Sequence, residues 1–275
     1  FCAAMERRLA VPTAIAAGCD IFLFNKDLDE DIRFMKEGIA NGILTPERID
    51  EAVTRILAMK AALKLPEKQA EARLVPPKED LAVLKAEKHV EWAKQAADNG
   101  ITLVKDTAGN LPLRPEATPR LLLQVIGPYE EANTQITSTV IPLLEKAGFR
   151  VTLYQPEDFT TGFESVSQFR SKYDAVLYLA NVENRSNATT TRINWYTFFG
   201  QGNNIPWFVD EVPTVFASLG NPYHLMDVPM VKTYINTYDN HQAVIEALVA
   251  KILGKSDFKG VSPIDPYCGL MDARR

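Results

Sequence analysis

The polar stretch over residues 181–195 holds the densest set of chemically capable side chains in this sequence. It carries Asn184, Arg185, Ser186, Asn187, Thr189, Thr190 and Arg192 and ends on Trp195. A tryptophan face can stack on a polyhydroxylated ring, while arginine and asparagine bind hydroxyls. A loop of this length is often functional. The competing reading is a solvated crossover whose Trp195 packs against the sheet. Asn184-Arg185-Ser186 and Asn187-Ala188-Thr189 are also formal glycosylation sequons, meaningful only in a secretory pathway.

Other reactive residue types are thinly spread. His89 falls on a helix, His224 in a short turn and His241 at a helix start, and none has an Asp or Ser at a spacing that suggests a dyad or triad. Each reads as a surface or structural histidine. Glu183 is the one acid in the polar loop. Gly200-Gln201-Gly202 does not follow a strand and open a helix, so it reads as a loop rather than a phosphate cradle. Cys2, Cys19 and Cys268 are scattered, odd in number and without a CxxC pair, which indicates neither a disulfide framework nor a zinc site. A reducing, cytoplasmic setting is expected rather than a secreted one.

Composition narrows the classes further. With 46% hydrophobic and 24% charged residues and a formal net charge of -5, the chain fits a soluble globular protein. It has no lysine/arginine cluster dense enough for a nucleic-acid footprint and no apolar run long enough to cross a bilayer, so neither partner is expected.

The elements that must position these groups fall into two patterns. In the first, Gly18 stops a helix and Pro12 starts a short helical turn; residues 20–24 then read as a strand buried on both faces. Asp27 and Glu30 form a capping box for a helix with Leu28, Ile32, Met35 and Ile39 on one face, closed by Asn41-Gly42. Thr45-Pro46-Glu47 opens another with Ile49, Val53, Ile56 and Leu57 as its stripe. A lone parallel strand is not a stable fold, so its sheet partners are expected elsewhere. A proline-bearing linker follows, and Asp80 starts a helix burying Leu81, Leu84, Trp92 and Ala96. In the second pattern, strands near 101–104, 121–126, 150–154, 174–180, 213–219 and 231–235 alternate with helices. The last of these helices covers 241–253, and the alternation predicts a parallel sheet with helices on both faces.

Several stretches resemble a known family. Residues Ala14-Ile15-Ala16-Ala17-Gly18-Cys19-Asp20 and Thr45-Pro46-Glu47-Arg48-Ile49-Asp50-Glu51-Ala52-Val53 resemble the end of the catalytic barrel of family 3 glycoside hydrolases. Ile101-Thr102-Leu103-Val104-Lys105-Asp106 with Asn110-Leu111-Pro112-Leu113 resembles the entry to that family's second domain. Ser218-Leu219-Gly220-Asn221-Pro222-Tyr223 and Phe258-Lys259-Gly260-Val261-Ser262-Pro263 are similar to its later strand and tail. The wording sits nearest the β-N-acetylhexosaminidase branch.

The resemblance implies an α/β architecture: the C-terminal remnant of a β/α barrel, then a parallel-sheet, flavodoxin-like α/β sandwich domain. The expected division is 1–65 for the barrel end, 66–99 for the linker and connecting helix, and 100–275 for the second domain. It also implies removal of terminal N-acetylglucosamine-type residues by a retaining mechanism, which needs a carboxylate nucleophile and a proton donor. Both are expected before Phe1, so no catalytic residue is assigned in this chain; Glu183 is the weak alternative that the other branch of the family suggests. A non-catalytic scaffold or sugar-binding module is the other reading. Asn25 and Lys26, at the end of the barrel strand, are expected to face the sugar pocket, and Arg185, Asn187, Arg192 and Trp195 to touch the sugar from the sheet crevice. The expected partners are the amino-sugar glycoside, the preceding barrel segment and a second copy in a homodimer. No metal or organic cofactor is implied.

Overall fold

The structure is a computed structural model that describes residues 4–155, 164–185, 191–198, 201–202 and 204–275. It divides into two compact units, Phe1–Val83 and Leu84–Arg275.

The first unit is helical. α1 (Arg7–Ala16), α2 (Leu28–Ala40), α3 (Pro46–Ala62) and α4 (Leu65–Ala70) precede a 3-10 turn over Lys78–Val83. Local chemistry sets most of these ends. Asp27 caps α2 by accepting from Glu30 N at 2.9 Å, and Thr45 caps α3 by accepting from Arg48 N at 3.2 Å. Gly18 and Gly42 take φ of +112° and +73°, which residues with a Cβ adopt only at a cost.

Four local expectations need correction here. Pro12 lies inside α1 rather than at its start; it is buried against Gly38 of α2, and that contact offsets the missing helical hydrogen bond. Glu30 does not complete the capping box, because its carboxylate turns to Arg7 at 3.3 Å. The stripes on α2 and α3 are largely exposed, with Leu28 at 60% and Leu57 at 58% exposure, while Asp31, Phe34, Gly38 and Ala52 are the buried positions. Residues 20–24 form no strand among the described residues, and Phe24 is 93% exposed. A parallel strand exists only through the ladder bonds of its neighbours, and no described segment pairs with this one.

The second unit is an α/β sandwich. It comprises α5 (Glu87–Gly100), β1 (Thr102–Asp106), β2 (Arg120–Ile126), α6 (Glu130–Lys146), β3 (Arg150–Leu153), α7 (Val166–Lys172) and β4 (Ala175–Ala180). A two-residue ladder joins β5 (Thr197–Phe198) to β6 (Gln201–Gly202), and β7 (Thr214–Ser218), β8 (Thr233–Asn236) and α8 (Gln242–Ile252) complete it. The helix before β1 starts at Glu87, not Asp80, so Leu81 and Leu84 precede it and are exposed; Trp92 and Ala96 are exposed on it, because its buried residue is Ala97.

The main sheet has the order β1-β8-β7-β4-β2-β3. All neighbours are parallel except β1, which runs antiparallel to β8; the expected all-parallel sheet is therefore mixed at one edge. β4 and β7 are buried along their whole length, which explains their unbroken apolar runs. Alternate residues of β2 and β4 serve opposite faces: Leu121, Leu123, Leu177 and Leu179 pack with α6 and α8, and Leu122, Val176 and Tyr178 with Phe169 of α7. Gln124, the polar break in β2, donates across the sheet to Tyr178 Oη at 3.0 Å, while its buried Oε1 is left without a hydrogen-bond partner.

Candidate functional site at the sheet crevice

Strand order fixes where a ligand can sit. Counting only the parallel strands, the order is second, first, third, fourth, fifth, the flavodoxin arrangement. Its connections leave in opposite directions on either side of the gap between β2 and β4. The strands stay paired to Ile126 and Ala180, and the connections that leave their carboxyl ends diverge and open a crevice above them. A cavity of about 330 Å³ lies there, floored by Ile126, Gly127 and Val182 and walled by Arg192, Asn194, Trp195 and Tyr196.

A hydrogen-bonded rim runs beside this cavity. Gly127 has no room for a side chain, since a Cβ would fall 2.5 Å from Asn181 O. Asn133 donates to Gly127 O at 3.0 Å, Asn181 to Asn133 Oδ1 at 3.0 Å, and Asn240 to Asn181 Oδ1 at 2.9 Å. Asn240 also bonds Glu183, whose other oxygen accepts from Arg185 at 2.8 Å. The Arg185 guanidinium lies 4.1 Å from the Tyr129 ring centroid. Both oxygens of Glu183 are thus engaged as acceptors, which makes it a cross-link of the rim.

The sequence-predicted residues separate on this frame. Arg192 and Trp195 come together on the cavity wall. Trp195 does two things at once, since it is only partly buried and also packs on the core around Phe208 and Phe216. Arg185 joins the rim but does not line the cavity. Asn187 lies outside the described residues. In the first unit, Asn25 lines an apolar groove of about 390 Å³ with Leu28, Ile32, Met35 and Ile39, while Lys26 is exposed and outside it. Asp20, at the same groove, is held below the usual carboxylate range by the Arg48 guanidinium.

Two histidine pairings correct the sequence reading. His241 Nδ1 lies 2.5 Å from Asp239 Oδ1 at the start of α8, a pairing that the Asp-x-His spacing could have revealed. Burial pushes the Asp239 carboxyl up, and hydrogen bonds from His241 and the backbone outweigh it, holding it below the usual range. His224 is enclosed at 1% exposure, with Nδ1 2.7 Å from Ser218 Oγ. Burial lowers its pKa. Ser218 is equally enclosed, so its hydroxyl is not presented to a substrate as a nucleophile. His89 stacks on Trp92 with ring centroids 5.6 Å apart. Among the described residues, no group of three or more His, Cys, Asp or Glu is placed to hold a metal ion.

A flavodoxin-order sandwich with a sugar-sized crevice at its switch point, following a helical unit, is the class of protein the architecture defines. No family model matches the chain. A protein named beta-N-acetylglucosaminidase/beta-glucosidase from Cellulomonas fimi is 43% identical over 274 residues, covering 98% of this chain and 48% of that relative. A solved beta-glucoside phosphorylase, BglX, is 41% identical with a TM-score of 0.72, covering 99% of this chain and 48% of its own. A family 3 beta-N-acetylglucosaminidase from Paenibacillus superposes with a TM-score of 0.52 at 19% identity, over 92% of this chain and 46% of its own, a likeness of fold alone. The chain belongs to glycoside hydrolase family 3. It spans about half the length of the relatives it matches.

Proposed function

We propose that this chain is the C-terminal portion of a retaining enzyme that removes terminal β-linked N-acetylhexosamine, its nucleophile and acid/base being supplied by residues outside this chain. The observation that carries this reading is the 43% identity, sustained over 274 residues, to a relative named for N-acetylglucosaminidase and glucosidase activity. In the same reading, the segment 20–24, with Leu23 and Phe24 exposed, and the apolar groove beside Asn25 belong to a barrel whose remaining strands would satisfy them. Asn25 and Lys26 then face its sugar pocket. The β2–β4 crevice supplies a second set of sugar contacts, through the Trp195 face and the hydrogen bonds of Arg192, with Arg185 and Asn187 at its margin.

The 41% identity to a protein named as a phosphorylase favours a second reading, in which phosphate replaces water as the acceptor. One experiment separates the two and tests the first. The whole gene product is incubated with p-nitrophenyl N-acetyl-β-glucosaminide and with the matching β-glucoside, with and without phosphate. Hydrolysis of the aminosugar substrate at a rate indifferent to phosphate supports the first reading. Formation of a sugar 1-phosphate supports the second. Failure to cleave either substrate would leave the scaffold reading and reject both.

A further inference from the structure

His224 has an arrangement that the crevice reading leaves unused. It sits in the turn after β7, yet its ring reaches across to the returning end of the polar loop. Nε2 lies 2.8 Å from the Thr191 carbonyl oxygen. A carbonyl can only accept, so this nitrogen carries the proton. Nδ1 is then the acceptor for Ser218 Oγ, which also lies 2.5 Å from Asn221 O; its single proton serves one acceptor at a time.

Two neighbours grip the same short segment. Asn221 donates from Nδ2 to Thr191 O at 3.3 Å. Asp227 accepts from Ile193 N at 3.1 Å and pairs with the Arg192 guanidinium. Three side chains from the turn after β7 therefore hold the backbone of residues 191–193. Arg192 and Trp195 project into the crevice from that segment and the residues directly after it.

We propose that His224 is a positioning residue for the crevice: with its proton on Nε2 it anchors Thr191 and so sets where Arg192 and Trp195 stand against the carboxyl ends of β2 and β4. The sugar-binding consequence rests on the crevice reading above; the positioning itself does not. Of the three side chains His224 is the most enclosed, and its two ring nitrogens face opposite partners, so rotation or loss of the ring breaks both contacts together. The same enclosure makes the Ser218–His224 pair a strut rather than a catalytic dyad.

The test uses the 275-residue chain with nitrogen-labelled histidine and tryptophan, whose three histidines and three tryptophans keep the spectra simple. The imidazole shifts of His224, assigned by their loss in His224→Gln, are expected to show the neutral ring protonated on Nε2. A proton on Nδ1 instead would overturn the proposal without any variant having to fold. His224→Phe keeps a flat ring, somewhat larger than imidazole, and removes both bonds; it is expected to move the Trp195 indole signal and weaken N-acetylglucosamine binding about tenfold, the scale of one lost hydrogen bond. His224→Gln, whose amide can still donate to Thr191 O, is expected to restore both to within about threefold of wild type. A folded His224→Phe chain with an unmoved Trp195 signal would sink the idea. If even the wild type fails to bind the sugar but the Trp195 signal moves in Phe and not in Gln, the positioning stands and the crevice reading falls.

Discussion

Gly38 of α2 lies so close to Pro12 of α1 that a Cβ at position 38 would fall 2.4 Å from Pro12 Cβ. The contact has no slack, because the opposing atoms belong to a rigid ring whose own backbone is helical. It explains how a proline survives inside α1. Gly38→Ala is therefore expected to destabilise the helical unit by about 1–3 kcal/mol, the scale of overpacking. Urea melts of Gly38→Ala, of Pro12→Gly and of the Pro12→Gly/Gly38→Ala double variant, which lacks the opposing Cβ, check it. The double variant should recover part of the loss, and simple additivity would contradict the contact.

Arg48 ties the segment after α1 to the helices. It donates to Ile15 O at 3.0 Å, to Cys19 O at 3.1 Å and to the Asp20 carboxylate at 2.6 Å. Arg48→Lys keeps the charge and loses the fork that reaches these acceptors and the Glu51 carboxylate at 3.2 Å. Amide exchange over residues 19–24 is expected to quicken in this variant, with α2 unaffected. Unchanged protection there would show that the arginine does not order the segment.

Acid should act on His224 in a defined direction. Burial lowers its pKa from the ordinary value of 6.5; Asp227 opposes the shift and Arg192 adds to it. A depressed folded-state value means that the unfolded chain takes up the proton first. The stability from the neutral ring is thus fully present above about pH 6.5 and is lost as pH falls through the lower native value. Melting temperatures of wild type and His224→Gln between pH 8 and 5 test this, since the variant should lose less stability on acidification. Parallel curves would argue against it.

Trp195 carries the crevice prediction. Trp195→Ala removes the stacking face, and N-acetylglucosamine affinity is expected to drop roughly tenfold, consistent with an aromatic contact of about 1.5 kcal/mol. Because Trp195 also touches the core, Trp195→Phe is the companion, keeping a smaller face and most of the packing. Calorimetric titration of the three proteins should rank them Trp, Phe, Ala. Equal affinities would remove the tryptophan from sugar binding.

A last variant probes the rim. Gly127→Ala places a methyl 2.5 Å from Asn181 O and 2.7 Å from Asn133 Oδ1. Both are backbone or short-side-chain atoms with little freedom to retreat. Disruption of the Asn133–Asn181 bond is expected, read as loss of protection at the Asn181 amide, which now donates to Ile126 O at 2.6 Å.

What could be read from the sequence alone was local or periodic. Asp27 and Thr45 announce the helices they cap because each bonds an amide three residues away. The apolar runs of β2, broken only by Gln124, and of β4 announce strands, because a strand buried on both faces carries apolar residues at successive positions. Even the position of the crevice followed from strand–helix alternation, with Arg192 and Trp195 inside it. Pairings between residues far apart in the chain were not legible. That β1 runs antiparallel beside β8, that Arg192 meets Asp227, that Ser218 and His224 close a strut onto Thr191, and that the stripe of α2 faces a groove are outcomes of packing. Spacing along a chain records contacts within a turn or two; which distant surfaces meet is decided only when the whole apolar face of the sheet is buried at once.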